Sequence, residues 1–166
     1  MGVHDAKAMH KAVVDANRSR GDLYVQMLRT LERRYGRAEA IATMKDAIRA
    51  WGCGLAAGLA GLAADDFEGL KHRFALAPDG GAMFGARVDR CDAGGLDVQF
   101  ETCPLKAAWC EAGLPDDEVA QLCDIAAQAD YGTLETAGFA VAIETWRPGR
   151  SGCCALCVRP RDRTQD

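Results

Sequence analysis

Leu96-Asp97-Val98-Gln99-Phe100-Glu101-Thr102-Cys103-Pro104-Leu105-Lys106 changes period in mid-course. Leu96, Val98 and Phe100 alternate with Asp97, Gln99 and Glu101, the period of two expected of a half-buried strand. Beyond Thr102 the alternation stops. Pro104 suits the first position of a helix, because the N–H it lacks would have no partner there. Leu105, Ala108, Trp109 and Ala112 then share one helical face, and Gly113 ends the run. The chain therefore passes from strand to helix at Cys103.

Outward from this junction the same two periods recur. Phe84, Ala86 and Val88 alternate with Gly85, Arg87 and Asp89, and Asp92-Ala93-Gly94-Gly95 is a turn, so a hairpin is expected. On the other side, Pro115-Asp116-Asp117-Glu118 starts a helix over 116–130, with Val119, Leu122, Cys123 and Ala126 inward. Phe139-Val141-Ile143 and Cys154-Leu156-Val158, joined across 147–152, predict a second hairpin.

Before residue 80 the pattern is helical. Residues 1–20, polar with scattered alanines, read as a helix of modest stability at a mobile end. Tyr24, Met27, Leu28, Leu31 and Tyr35 form one stripe, closed by Gly36; Ile41, Met44, Ile48, Trp51 and Leu55 form the next. The Gly/Ala segment 52–63 either continues this helix or breaks it in two. Asp65 and Asp66 cap a helix over 66–77, ended by Pro78-Asp79-Gly80-Gly81. The expected fold class is α+β: a helical N-terminal half packed on a small antiparallel sheet of two hairpins, with two helices between them. Residues 1–166 make one domain, with 160–166 a solvated tail.

The bulk properties narrow the function. The chain has 166 residues, 49% apolar and 27% charged, with a net charge of -4 from 20 basic and 24 acidic residues. No basic stripe is present, so nucleic acid is not an expected partner. The longest uncharged run, Ala50 to Ala64, falls short of the roughly 18–20 residues of a membrane span, and no membrane association is expected. Its small residues suit close helix packing instead. The start carries no apolar run of export type, so a cytoplasmic chain with reduced thiols is expected. A small-molecule substrate is the expected partner; a homo-oligomer stays open.

Eight cysteines then need an account. Cys103 would cap the helix opened by Pro104. Unpaired N–H groups and the positive end of the helix dipole favour a thiolate there, and Lys106, one turn on, would add charge. Cys110 is expected to be structural. Cys123, Ala127 and Asp130 fall at i, i+4 and i+7, on one stripe of the 116–130 helix. Asp130 is thus either a core-edge carboxyl with a raised pKa or a plain helix-end residue before Gly132. Asp124 lies about 100° round. Cys153-Cys154-Ala155-Leu156-Cys157 suggests metal at first sight, yet in a strand Cys153 and Cys157 stand ~13 Å apart. Zinc takes sulfurs at about 2.3 Å from the metal, so only a loop there would hold it. Cys154 faces the core or a pocket. His4, His10 and His72 form no close ligand set, and no glycine-rich loop follows a strand to hold a nucleotide cofactor.

Cys103-Pro104-Leu105, Trp109, Gly113-Leu114-Pro115, Leu122-Cys123-Asp124 with Asp130, and Cys153-Cys154 after a glycine-containing turn together resemble the L-2-amino-thiazoline-4-carboxylic acid hydrolase family. Arg34-Tyr35-Gly36-Arg37-Ala38-Glu39-Ala40 resembles the family's helix junction more loosely. The likeness spans much of 30–158, and its specific part is 103–158. It implies hydrolysis of a carbon–nitrogen bond in a small cyclic amidine, opening a thiazoline ring toward an N-carbamoyl cysteine; cleavage of a carbon–sulfur bond is a further reading of the same residues. By similarity Cys103, Asp124 or Asp130, and Cys154 would form the site. Where family members resemble Cys-Asp-Phe-Arg in the last strand, this chain has Cys154-Ala155-Leu156-Cys157. The implied chemistry needs no metal or organic cofactor: Cys103 attacks, an aspartate moves protons, and Lys106 and Cys123 bind substrate. Two other classes use the same cysteine-rich pocket without turnover, a small-molecule-binding module and a metal-binding one.

Overall fold

A computed structural model describes residues 3–77 and 79–161. Pro78 of the expected turn, the side chain of His4 and residues 162–166 of the expected tail lie outside the described residues. Helix α1 (Val3–Tyr35) is followed by α2 (Arg37–Leu55), a 3-10 turn (Ala56–Leu59), and α3 (Phe67–Leu70), which widens into a π turn (Lys71–Ala75). Strands β1 (Ala86–Asp92) and β2 (Gly95–Phe100) come next, then helices α4 (Pro104–Glu111), α5 (Asp116–Ala126) and α6 (Gln128–Thr136). Strands β3 (Phe139–Glu144) and β4 (Ala155–Pro160) complete the α+β fold. Among the described residues no helix is long and apolar enough to cross a membrane.

Residues 3–20 continue the helix that follows them, and α1 is one 33-residue rod. His10 Nδ1 meets the Asp79 carboxylate at 2.7 Å, and Arg18 pairs with Glu111 at the end of α4. The inner faces of α1 and α2 differ from the expected stripes. Tyr24, Val25 and Leu28 are buried, whereas Met27 and Tyr35 are 39% and 60% exposed. On α2, Ala40, Met44, Ile48 and Gly52 turn inward, and Trp51 and Leu55 outward. The stripes drifted because apolar residues line more than one side of each helix, and only one side is covered.

The small-residue segment does serve a helix contact. A Cβ on Gly52 would lie 2.2 Å from the carbonyl oxygen of Ala129, and one on Gly132 would lie 2.2 Å from that of Arg49. Glycine on both sides lets the backbones of α2 and α6 touch. The Thr133 hydroxyl adds contacts to the carbonyls of Ala129 (2.8 Å) and Gly52 (3.0 Å).

That crossing also explains a correction. The expected single helix over 116–130 is two, α5 and α6, meeting at Ala127. No proline or glycine marks the break. The N–H groups of Asp130 and Tyr131 both reach the Ala127 carbonyl at 3.1 Å, so one turn tightens and α6 re-aims toward α2. Asp130 consequently sits in the first turn of α6, not at the end of a helix.

The sheet runs β1-β2-β4-β3, antiparallel throughout. Its two hairpins join where Val98 pairs with Leu156. One face buries Leu96, Val98, Phe139, Leu156 and Val158 against Phe67, Leu70 and Leu134. The other exposes Cys157, and Arg159 pairs there with Asp97 at 2.5 Å. β4 extends through Pro160, so the expected tail gives its first residue to the sheet. A separate helical core gathers Tyr24, Leu28, Met44, Leu105, Trp109 and Ile125. The seam between the two cores holds the site.

Candidate active site

Cys103 follows β2 and caps α4 as the sequence predicts. Its backbone is extended (φ −150°, ψ 119°), Pro104 opens the helix, and the Cys103 carbonyl accepts from Ala107 N–H at 2.9 Å. The sulfur closes no cap hydrogen bond. The backbone N–H groups of Lys106 and Leu105 still favour its thiolate, but burial outweighs them and pushes the Cys103 thiol up to about 11. This reverses the depressed pKa expected from helix position alone, because the walls around the sulfur are apolar.

Those walls enclose a cavity of about 150 Å³, a volume that suits a ligand the size of a single ring. Phe74, Phe84, Phe100, Leu105 and Trp109 supply its apolar surface. Its polar groups are Arg20, Thr102, Cys103, Lys106 and Asp130, with the thiols of Cys123, Cys153 and Cys154. An open cleft on the other side of the junction also borders Thr102, Cys103, Lys106 and Cys153. Cys103 therefore stands in the partition between an inner cavity and a solvent-facing one.

Asp130 is brought to the cavity and Asp124 is not. Burial lifts the Asp130 carboxyl to about 7, with Arg20 the group that draws it down. Among the described residues it makes no ion pair. The i, i+7 relation to Cys123 survives the break in the helix, and both residues line the cavity. Asp124 instead accepts from the Thr145 hydroxyl and from Arg147 Nη2 at 3.0 and 3.1 Å. Its carboxylate anchors the loop between β3 and β4.

That loop delivers two thiols. The Cys153 N–H donates to Phe100 O and the Phe100 N–H to Cys154 O, both at 2.8 Å. Cys154 faces the cavity and burial pushes its thiol up to about 12; burial raises Cys123 and Cys153 as well. Lys106 departs from its expected role beside Cys103. Its Nζ donates to Gly152 O at 3.1 Å, lies 4.7 Å from the centre of the Trp146 ring, and faces the Cys153 thiol, whose pKa it lowers against burial. All eight cysteines are free. No three His, Cys, Asp or Glu side chains among the described residues are grouped to hold a metal ion.

Three polar residues of the cavity, Arg20, Thr102 and Cys153, are not among the site candidates read from the sequence. In sequence Cys153 carries a metal-ligand reading and a place in the family motif, and its position beside Cys154 after Gly152 is the signal for the shared pocket. Arg20 lies in the polar segment before the first apolar stripe, where the only hint is its i, i+4 relation to Tyr24.

No curated protein and no solved structure matches the chain. The family model described as L-2-amino-thiazoline-4-carboxylic acid hydrolase matches residues 16–154, from α1 through Cys154. This stretch takes in Arg20, Cys103, Asp130 and Cys154, and the chain belongs to the L-2-amino-thiazoline-4-carboxylic acid hydrolase family.

Proposed function

We propose that the protein is a cysteine-dependent hydrolase that opens a small cyclic amidine, with Cys103 as nucleophile and Asp130 as the proton carrier. One observation carries this reading: Cys103 at the start of α4 and a carboxyl held near neutrality line the same cavity. A carboxyl with a pKa near 7 both takes and gives a proton at physiological pH.

The chemistry follows from the charges. Cys103 rests as a thiol. An amidinium entering the cavity introduces a positive charge that lowers both Asp130 and Cys103. The Cys103 proton passes to Asp130 and the sulfur adds to the amidine carbon. For a 2-amino-thiazoline, collapse of this adduct breaks the ring carbon–sulfur bond, and Asp130 returns the proton to the departing ring sulfur. Water, deprotonated by Asp130, then adds to the same carbon. Expulsion of Cys103, which regains its proton, leaves the carbamoyl group on nitrogen. Neither half-reaction needs a metal or organic cofactor.

The raised thiols favour one competitor, a pocket that binds such a molecule without turning it over. Incubation with L-2-amino-thiazoline-4-carboxylate separates the two. The hydrolase releases one N-carbamoyl cysteine per substrate, whose freed side chain is the one new thiol; the binding module releases none.

A further inference from the structure

Arg20 Nε is the one buried side-chain nitrogen or oxygen without a hydrogen-bond partner among the described residues. The side chain lines the cavity beside Asp130, and its Cζ stands 5.0 Å from the centre of the Trp51 ring. No carboxylate lies within ion-pair distance of its guanidinium among the described residues. A buried N–H on a charged group destabilises the fold unless something accepts from it. Water or an anion in the cavity can do so, and the planar guanidinium matches a carboxylate with two parallel hydrogen bonds. The Trp51 ring adds a cation–π contact and supplies the guanidinium with no carbonyl or carboxylate acceptor.

The other cavity cation is already engaged. Lys106 is occupied by Gly152 O, the Trp146 ring and the Cys153 thiol. Arg20 is also firmly placed: the next residue, Gly21, has its carbonyl bonded by Trp109 Nε1 at 2.8 Å. We infer that Arg20 is the carboxylate-recognition residue of this cavity. The ligand class it selects is a small zwitterion, with a carboxylate at Arg20 and a cationic nitrogen group toward Asp130. The inference rests on the proposed reaction only for the position of the reacting carbon; the carboxylate contact stands without it.

Two measurements test it on Arg20→Gln and Arg20→Lys, each checked for an unchanged melting temperature. Turnover is compared for 2-amino-thiazoline-4-carboxylate and its carboxamide. Calorimetric binding is compared for the unreactive thiazolidine-4-carboxylate and its carboxamide. The wild type is expected to prefer each acid over its amide by about 30-fold, the range of a charge-assisted hydrogen bond. Arg20→Gln should bring the acid-to-amide ratio close to one, while Arg20→Lys keeps part of the preference. Equal losses for acid and amide, or a wild type that does not distinguish or bind them, would overturn the inference. Arg20-dependent binding without turnover would sink the hydrolase reading alone. Turnover indifferent to Arg20 would sink the carboxylate contact alone.

Discussion

Trp109 donates its indole N–H to the carbonyl of Gly21 at 2.8 Å, joining the helix that begins at Cys103 to the helix that carries Arg20. Gly21 allows the approach, since a Cβ there would lie 3.2 Å from Trp109 Nε1 and 3.3 Å from Leu105 Cα. The bond fixes two cavity walls relative to each other.

Trp109→Phe keeps an aromatic ring but leaves the buried Gly21 carbonyl with one acceptor site unused. A stability loss of about 1–3 kcal/mol is expected. Chemical denaturation would measure it, and KM should rise with kcat less affected, because the change is in cavity shape.

Asp130 and Asp124 should part company on substitution. Asp130→Asn removes the proposed proton carrier and should lower kcat by about 10²–10⁴-fold. Asp124→Asn frees Thr145 and Arg147 and loosens the loop that delivers Cys153 and Cys154. Its expected cost is about 1–2 kcal/mol of stability with kcat within about tenfold. Steady-state kinetics and melting curves on the two variants check this.

The buried carboxyl also predicts a pH-dependent stability. The folded pKa of about 7 lies above the ordinary carboxylate value of 3.8. Between these values the unfolded chain has already released the proton that the folded chain retains, so stability falls as pH rises. The loss begins near pH 4, is complete above about 7, and amounts to on the order of 4 kcal/mol. Asp130→Asn should therefore match the wild type near pH 4 and exceed its stability at pH 8. Equal pH dependence in the two proteins would contradict the burial of an ionisable group there.

Gly132→Ala would drive a methyl into the Arg49 carbonyl. Backbone on backbone leaves little room to adjust, and a loss of about 3 kcal/mol is expected. As α6 also carries Asp130, activity at a temperature where the variant is folded should fall as well; calorimetry with an activity assay measures both.

Much of the frame was legible from local pattern. The alternation of Leu96, Val98 and Phe100 and the proline after Cys103 were enough to place the strand-to-helix junction. The seven-residue step from Cys123 to Asp130 was enough to suggest a carboxyl turned inward. What local pattern could not carry was decided by distant partners. The break at Ala127 is set by α2 crossing at Gly52, more than seventy residues away in sequence. The pKa of Cys103 follows from rings contributed by other elements, Phe74, Phe84 and Phe100. Lys106 turned to Gly152 because a long loop returns beside it, and Arg20 follows a polar segment, with little beyond Tyr24 at i+4 to mark it as inward-facing.

The most direct test of the central claim is peptide-mapped mass spectrometry on protein quenched during turnover of 2-amino-thiazoline-4-carboxylate, with Cys103→Ser, Cys153→Ser and Cys154→Ser assayed in parallel. The expected result is a substrate-derived adduct on Cys103, with turnover reduced at least 10³-fold in Cys103→Ser and kept within about tenfold in the other two. Wild-type turnover by Cys103→Ser, or an adduct carried on Cys153 or Cys154 instead, would contradict it.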